Sequence, residues 1–261
     1  MTQSRARVSL PSDAELLAAG ARRVERIGDA VLVLGDCRSI APTLPRPDAI
    51  VSDPPYGIGY ISGPISKSSI STTGKRFSVG IIGDDEPFDP LPWTAAAGVA
   101  CFTGAQHFYT RLPAGGAFHV WNKRGPYAPL DQADGDLIWI SHKSALRVVD
   151  MVWRGICRTV ENTQPIDHPT QKPVALMEWC IEKAGVPAGA LCLDPYMGSG
   201  TTGVACLRRG VRFVGIEIDE RYFDVACRRV AEAARQPSLF DAAPPPKPQQ
   251  MALGYPVEQM G

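Results

Sequence analysis

The chain has 261 residues, 44% of them hydrophobic, and a formal net charge of zero. That length suits one large α/β domain with a small insertion, and zero net charge argues against a general polyanion binder while leaving room for a site-specific one with local basic patches. No apolar run is long enough for a membrane span, the start (MTQSRARVSLPSDAELL) has no secretory apolar stretch, and seven cysteines without a CxxC pair favour reduced thiols in a cytoplasmic protein over a disulfide frame or a metal site.

Residues 1–22 read as a partly ordered leader. The runs 24–27 and 30–34, separated by Gly28-Asp29, predict a β-hairpin whose second strand ends in Gly35-Asp36-Cys37. Residues 48–52 predict a strand ending in Asp53-Pro54-Pro55-Tyr56. Residues 57–83 are rich in Gly, Ser, Thr and Ile and contain no acid, so a mobile functional loop is expected over 57–87. Trp93, Ala97, Cys101 and Phe108 give a helical pattern over 90–112, and Gly115-Gly116 opens a strand at 117–122. Residues 123–165 hold short strand-like runs and scattered bases. Then the pattern becomes regular: a helix from Pro173 to about 184 ended by Gly185, a strand at 191–193, a helix at 201–209, a strand at 212–216 and a helix at 220–234. This alternation predicts an α/β protein with a mostly parallel sheet. The five tryptophans and Cys180, Cys206 and Cys227 read as packing residues, and the Pro- and Gln-rich segment 236–261 reads as a disordered tail.

Two motifs carry chemistry. A strand ending in Asp-Pro-Pro-Tyr can grasp a planar exocyclic amine. The Asp53 carboxylate can accept one N–H, the carbonyl near Pro54 can accept the other, Pro55 stiffens the turn, and Tyr56 can stack on the ring. Downstream, LCLDPYMGSGTTG at 191–203 reads as a strand, a glycine turn and a helix. The turn Gly198-Ser199-Gly200 lets the backbone approach a ligand, and the helix start at Thr201 supplies free N–H groups. Asp194 can accept from an ammonium group. Glu217, at the next strand end about 20 residues on, has the spacing of a ribose-binding carboxylate. No Lys follows the glycines and no G-x-G-x-x-G is present, which excludes a nucleoside-triphosphate or dinucleotide loop. A ligand with a ribose and an amino acid but no pyrophosphate, such as S-adenosylmethionine, suits the pattern.

DPPY at 53–56, HPTQKP at 168–173 and LDPYMGSGTT at 193–202 together resemble the amino-methyltransferases of DNA, over roughly residues 30–60 and 165–230. With the catalytic tetrapeptide first and the glycine loop last, the order resembles the permuted β subgroup. The resemblance implies a class I S-adenosylmethionine-dependent methyltransferase fold, Rossmann-like, with helices flanking a mostly parallel sheet. It divides the chain into a catalytic half (23–122), a target-recognition insertion (123–165) and a half that binds the methyl donor (166–235). It places Asp194 and the turn Gly198-Ser199-Gly200 around the methionine part, Glu217 at the ribose, and Asp36 and Cys37 at the adenine, with Tyr196, Thr201 and Ile218 also among the residues that bind the methyl donor. Thr170 and Lys172 resemble groups that hold the carboxylate, and Asp53 borders both ligands. Cys37 is not expected to be a nucleophile, because cytosine-C5 enzymes use a Cys in a different motif.

The implied partner is double-stranded DNA, with the target nucleotide rotated out of the helix onto Tyr56. Lys67, Lys75, Arg76, Lys123, Arg124 and Lys143 are the candidate DNA contacts. Within the family, Asp at the first catalytic position goes with adenine N6 and Ser with cytosine N4, so Asp53 favours adenine. Relatives that methylate RNA or a protein glutamine usually carry Asn there and place the glycine loop before it, and both features are contradicted here. A non-catalytic binding module is the remaining rival, and intact Asp53, Tyr56, Gly198, Gly200 and Glu217 argue against it. The short recognition segment suggests a short target, read with a homodimer partner or a separate partner subunit.

Overall fold

The computed structural model describes residues 8–59, 80–126, 133–154, 157–158, 160–161 and 171–236. Helix α1 (Asp13–Ala18) starts at a reciprocal cap. Ser12 accepts from the Glu15 backbone N–H, and Glu15 accepts from the Ser12 backbone. Leu16 is thereby seated in the core, so the expected leader is folded from residue 13 onward. Strands β1 (Arg23–Ile27) and β2 (Ala30–Leu34) form the expected antiparallel hairpin. Helix α2 (Cys37–Ile40), β3 (Ala49–Ser52), α3 (Leu91–Ala96) and β4 (Val99–Thr103) follow. Strands β5 (Ala117–Asn122), β6 (Gly135–Ile140) and β7 (Val148–Asp150) come next, with a small ribbon of β8 (Trp153–Arg154) and β9 (Cys157–Arg158). The chain then alternates: α4 (Val174–Lys183), β10 (Leu191–Asp194), α5 (Thr201–Arg208), β11 (Arg212–Glu217) and α6 (Glu220–Arg235).

Among the described residues, nine strands form one sheet in the order β1-β2-β11-β10-β3-β4-β6-β5-β7. The run β2-β11-β10-β3-β4 is parallel throughout. Its strands are apolar on both faces, as a sheet covered on both sides requires. Alternate residues feed two cores. Leu32, Val51 and Cys192 point to a layer built on α4, α5 and α6. Val33, Ile50 and Leu193 point to a layer holding Leu16, Ile40 and Trp93. This is the α/β architecture expected, a mostly parallel sheet between helices.

Two expectations differ from the structure. The helix expected over 90–112 stops at Ala96, and Val99–Thr103 is a central strand paired with β3. The apolar positions 93, 97 and 101 mimic a helical face, but four of the five β4 residues are buried, so the strand shows no alternation. The boundary expected at residue 123 falls inside the sheet: β6 pairs with both β4 and β5, and β7 pairs with β5.

Candidate active site

Four acids stand at the carboxyl ends of four neighbouring parallel strands, where open α/β sheets bind ligands. Asp36 follows β2, Glu217 ends β11, Asp194 ends β10 and Asp53 follows β3. A cavity of about 1480 Å³ runs along this edge, with all four acids in its wall together with Tyr56 and Lys172. Residues 36, 53, 194 and 217 are scattered along the chain, and strand pairing alone brings them together.

The Asp53 carboxylate is held from three sides. Its Oδ1 accepts from the Tyr56 hydroxyl at 2.6 Å and from Thr103 Oγ1 at 2.5 Å, and its Oδ2 accepts from Lys172 Nζ at 2.6 Å. Burial pushes its pKa up, but the Lys172 charge and the three hydrogen bonds outweigh burial, so the net shift is below the ordinary carboxylate value. Asp53 is therefore ionised at neutral pH and acts as an acceptor. Tyr56 is the converse: burial, the Asp53 charge and the Asp136 charge push its phenol well above 10 and keep it a neutral donor.

The loop after Asp53 is fixed by an acid from a distant segment. Asp84 Oδ1 accepts from the backbone N–H groups of Tyr56 and Gly57, at 2.7 and 2.8 Å. The Tyr56 ring is stacked on His107, with centroids 4.8 Å apart and planes 17° from parallel. It also presses on Gly104, whose φ of +70° is left-handed and where a Cβ would run into the ring. Tyr56 is thus part of a layered assembly, with one stacking partner already in place.

Asp194 and Glu217 differ from Asp53 in having neutral partners. Asp194 is 2% exposed and accepts from Ser52 Oγ at 2.6 Å, from the Tyr196 backbone N–H at 3.1 Å and from Thr202. Burial dominates and raises its pKa to about 6. Glu217 is 9% exposed, with Oε2 accepting from the Gly198 N–H at 2.8 Å and Oε1 from the Asp219 N–H at 2.7 Å. Burial again dominates these hydrogen bonds and raises it to about 7. Buried carboxylates without a cation ask for one, or for hydroxyl donors. This pair of groups on one cavity wall suits a ligand bringing an ammonium and a ribose diol.

The glycine turn between them is tightly pinned. Gly200 has φ +77° and a Cβ there would press on Ala226 of α6. From the same helix, Arg229 Nη1 donates to the Ser199 carbonyl and hydroxyl, both at 2.8 Å, and to Thr201 Oγ1 at 3.0 Å. Tyr196 lines the cavity with its ring edge-on to Phe88 and Trp93. Asp36 caps α2 and is bound by the Arg38 guanidinium at 2.7 Å. The buried Cys37 thiol is raised to about 11 by burial, then by Asp36, which makes it a poor nucleophile. Ile218 lines the cavity, and its carbonyl accepts from Arg22. Pro54 and Pro55 also line it.

Thr170, Lys67, Lys75 and Arg76 lie outside the described residues. Lys123, expected on DNA, is in the cavity wall, ion-paired with the buried Asp136 and 4.7 Å above the Trp121 ring. Arg124 pairs with Asp134 at 3.3 Å, and Lys143 is exposed away from the cavity lining. Thr103, Asp84 and Arg229 were not singled out by sequence. Each lies at least 27 positions from its partner in the chain, and no local spacing marks them.

Among the described residues no group of His, Cys, Asp and Glu could hold a metal ion, and no helix is long and apolar enough to cross a membrane. Residues 118–228 match a family model described as DNA methylase, N6_N4_Mtase. Among curated relatives, the type II methyltransferase M2.DpnII of Streptococcus pneumoniae is 42% identical over 79 residues, covering 30% of this chain and 29% of that protein. M2.LlaDCHI of Lactococcus lactis subsp. cremoris is 37% identical over 83 residues, 32% of this chain and 30% of its own length. The matched segments thus span about three tenths of these relatives. The solved M1.HpyAVI–SAM complex is 23% identical with a TM-score of 0.49, covering 76% of this chain and 98% of that one. The cytosine-N4-specific PvuII methyltransferase is 13% identical with a TM-score of 0.48, covering 78% and 86%. That family is S-adenosylmethionine-dependent, and in this chain Asp194 and Glu217 are buried with neutral partners only. Over residues 118–228, the chain is thus similar to the N6/N4 family of DNA methylases.

Proposed function

We propose that this protein transfers a methyl group from S-adenosylmethionine to the N6 amine of adenine in duplex DNA. The observation that carries the reading is the contrast along one cavity wall: an ionised, cation-held Asp53 beside two buried carboxylates with only neutral partners. The sulfonium supplies an electrophilic methyl group and a neutral leaving group. Asp194 receives the ammonium, Glu217 the ribose hydroxyls, and the pinned turn at Ser199 the backbone of the methionine part.

Asp53 accepts one hydrogen of the target amine and the Pro54 carbonyl accepts the other. Both acceptors favour a more tetrahedral nitrogen and stabilise the positive charge that grows on it during attack. Further acceleration comes from alignment of nitrogen, methyl and sulfur. Tyr56, held by Asp84 and backed by His107, receives the ring of the rotated-out nucleotide. Asp at position 53 supports adenine over cytosine. The motif order, DPPY before the glycine turn, supports the permuted β arrangement. Duplex DNA as partner, and a homodimer or separate subunit to complete recognition, belong to the same proposal, with Lys143 a described candidate for phosphate contact.

The test is transfer of labelled methyl from S-adenosylmethionine to unmethylated duplex DNA, with nucleoside digestion and mass analysis, beside Asp53→Ala. Label on N6-methyladenine that disappears in the variant is the expected result. Label on N4-methylcytosine overturns the choice of base, and absence of label despite binding of the methyl donor overturns the reaction.

A further inference from the structure

Lys172 occupies the place that the target amine needs. Asp53 Oδ1 already accepts from both Thr103 and Tyr56, which fills its two lone-pair directions. The oxygen open to an incoming amine is Oδ2, and there Lys172 Nζ sits at 2.6 Å. The same ammonium lies over the Tyr56 ring, 5.5 Å from its centroid, so it also stands at the stacking surface. Its side chain is only 8% exposed.

An ammonium in that position opposes the proposed chemistry. The attacking nitrogen becomes cationic as the methyl arrives. Two unit charges about 4 Å apart at an effective dielectric of about 20 repel enough to slow a reaction by about a thousandfold. Lys123 adds a second positive charge on the same wall, close enough for the Lys172 charge to disfavour its own. Lys172 must leave Asp53 for transfer to proceed, and a buried ammonium leaves one carboxylate only for another anion.

We infer that Lys172 couples occupancy by the methyl donor to capture of the base: it rests on Asp53 in the free protein and exchanges that partner for the carboxylate of the amino-acid ligand, which opens Oδ2 and the Tyr56 surface. This rests on the proposed function. The other cations in the cavity wall are engaged elsewhere. Arg38 is on Asp36, Arg46 donates to the carbonyls of Ala95 and Ala97, and Lys123 is on Asp136. Of the other acids in the cavity wall, Asp136 holds Lys123, and Asp194 is committed to the ammonium in the proposed complex. Lys172 thus binds the ligand's carboxylate and, through Asp53, suppresses base capture before the methyl donor binds.

The experiment follows the Lys172 side chain directly. In the full chain labelled with ¹³C and ¹⁵N lysine, the Lys172 ammonium resonance is tracked while S-adenosylhomocysteine or 5′-methylthioadenosine is added; the second compound shares the adenosine but lacks the amino acid. Expected is a shift with the first and none with the second. In Lys172→Met, affinity for S-adenosylhomocysteine should fall by about tenfold or more while that for methylthioadenosine changes less than about twofold. On DNA carrying 2-aminopurine at a position methylated in the label-transfer assay, fluorescence should rise only when S-adenosylhomocysteine is present. Binding of S-adenosylhomocysteine with an unmoved Lys172, or an equal shift with methylthioadenosine, overturns the coupling alone. No binding of either compound overturns the coupling together with the reading of the site.

Discussion

Asp53 and Glu217 occupy equivalent places, each at the carboxyl end of a parallel strand in the same sheet, yet they have opposite electrostatic character. Asp53 is surrounded by Lys172, Thr103 and Tyr56 and is held ionised. Glu217 is surrounded by backbone N–H groups alone, and burial raises it to about 7. Position in the fold therefore does not assign the role. The partner set separates them: one carboxylate is held ionised by a cation and two hydroxyl donors, and the other is held by backbone N–H groups while burial opposes its ionisation.

The sharpest way to break this comparison is to remove each acid in turn. Asp53→Ala should lower kcat for methyl transfer by about 10³, with affinity for S-adenosylhomocysteine nearly unchanged in equilibrium titration. If affinity falls instead, Asp53 belongs to the ligand-binding set. The stability of the free protein should separate the two acids by sign. Glu217 has a folded-state pKa raised from 4.5 to about 7. Its contribution is complete below about 4.5 and is lost as pH rises to about 7, roughly 3 kcal/mol in total. Asp53, shifted down, contributes above its ordinary value of 3.8 and loses that contribution as pH falls. Urea titrations at pH 5 and pH 8 should show the first slope, and Glu217→Gln should remove the larger part of it, leaving the part due to Asp194, which is raised to about 6.

Binding carries the same signature in the other direction. In the proposed complex the ionised carboxylates hold the ligand, so affinity for S-adenosylhomocysteine should rise with pH through about 6 and 7 and level off above. Below that range the change should approach about tenfold per pH unit for each group that must ionise, and calorimetry in buffers of different ionisation enthalpy should record proton release. A flat profile would mean that neither acid touches the ligand. The smallest effect expected is that of Thr103→Val, which removes one of three groups holding Asp53. A loss of about threefold to tenfold in kcat, without change in ligand affinity, would place Thr103 with Asp53 in the catalytic set.

Much of this site was legible because its acids end local, recognisable units. The runs before Asp36, Asp53, Asp194 and Glu217 are short and apolar, and the turn after β10 is marked by Gly198 and Gly200. Strand β4 was not legible, because Trp93, Ala97 and Cys101 imitate a helical stripe and a fully buried strand shows no alternation of its own. Thr103 was lost with it. Asp84 and Arg229 were hidden for a different reason: each acts on backbone atoms of a remote loop, and a side chain that caps distant main chain leaves no pattern in its own neighbourhood.

The strand order has a consequence for how the molecule is made. Strands β11 and β10 lie between β2 and β3, so the centre of the sheet is supplied by the segment translated after all the other sheet strands. While the ribosome has produced only the strands up to β7, β2 and β3 each present an unpaired edge facing a gap two strands wide. Such edges invite pairing with other chains. Closing the gap joins residues about 140 to 185 positions apart, as in the pairings Ala49 with Cys192 and Ala30 with Phe213. The native sheet, and with it the row of acids, therefore forms only after translation of the last strand, in a single late step whose success depends on what shields the nascent edges until then.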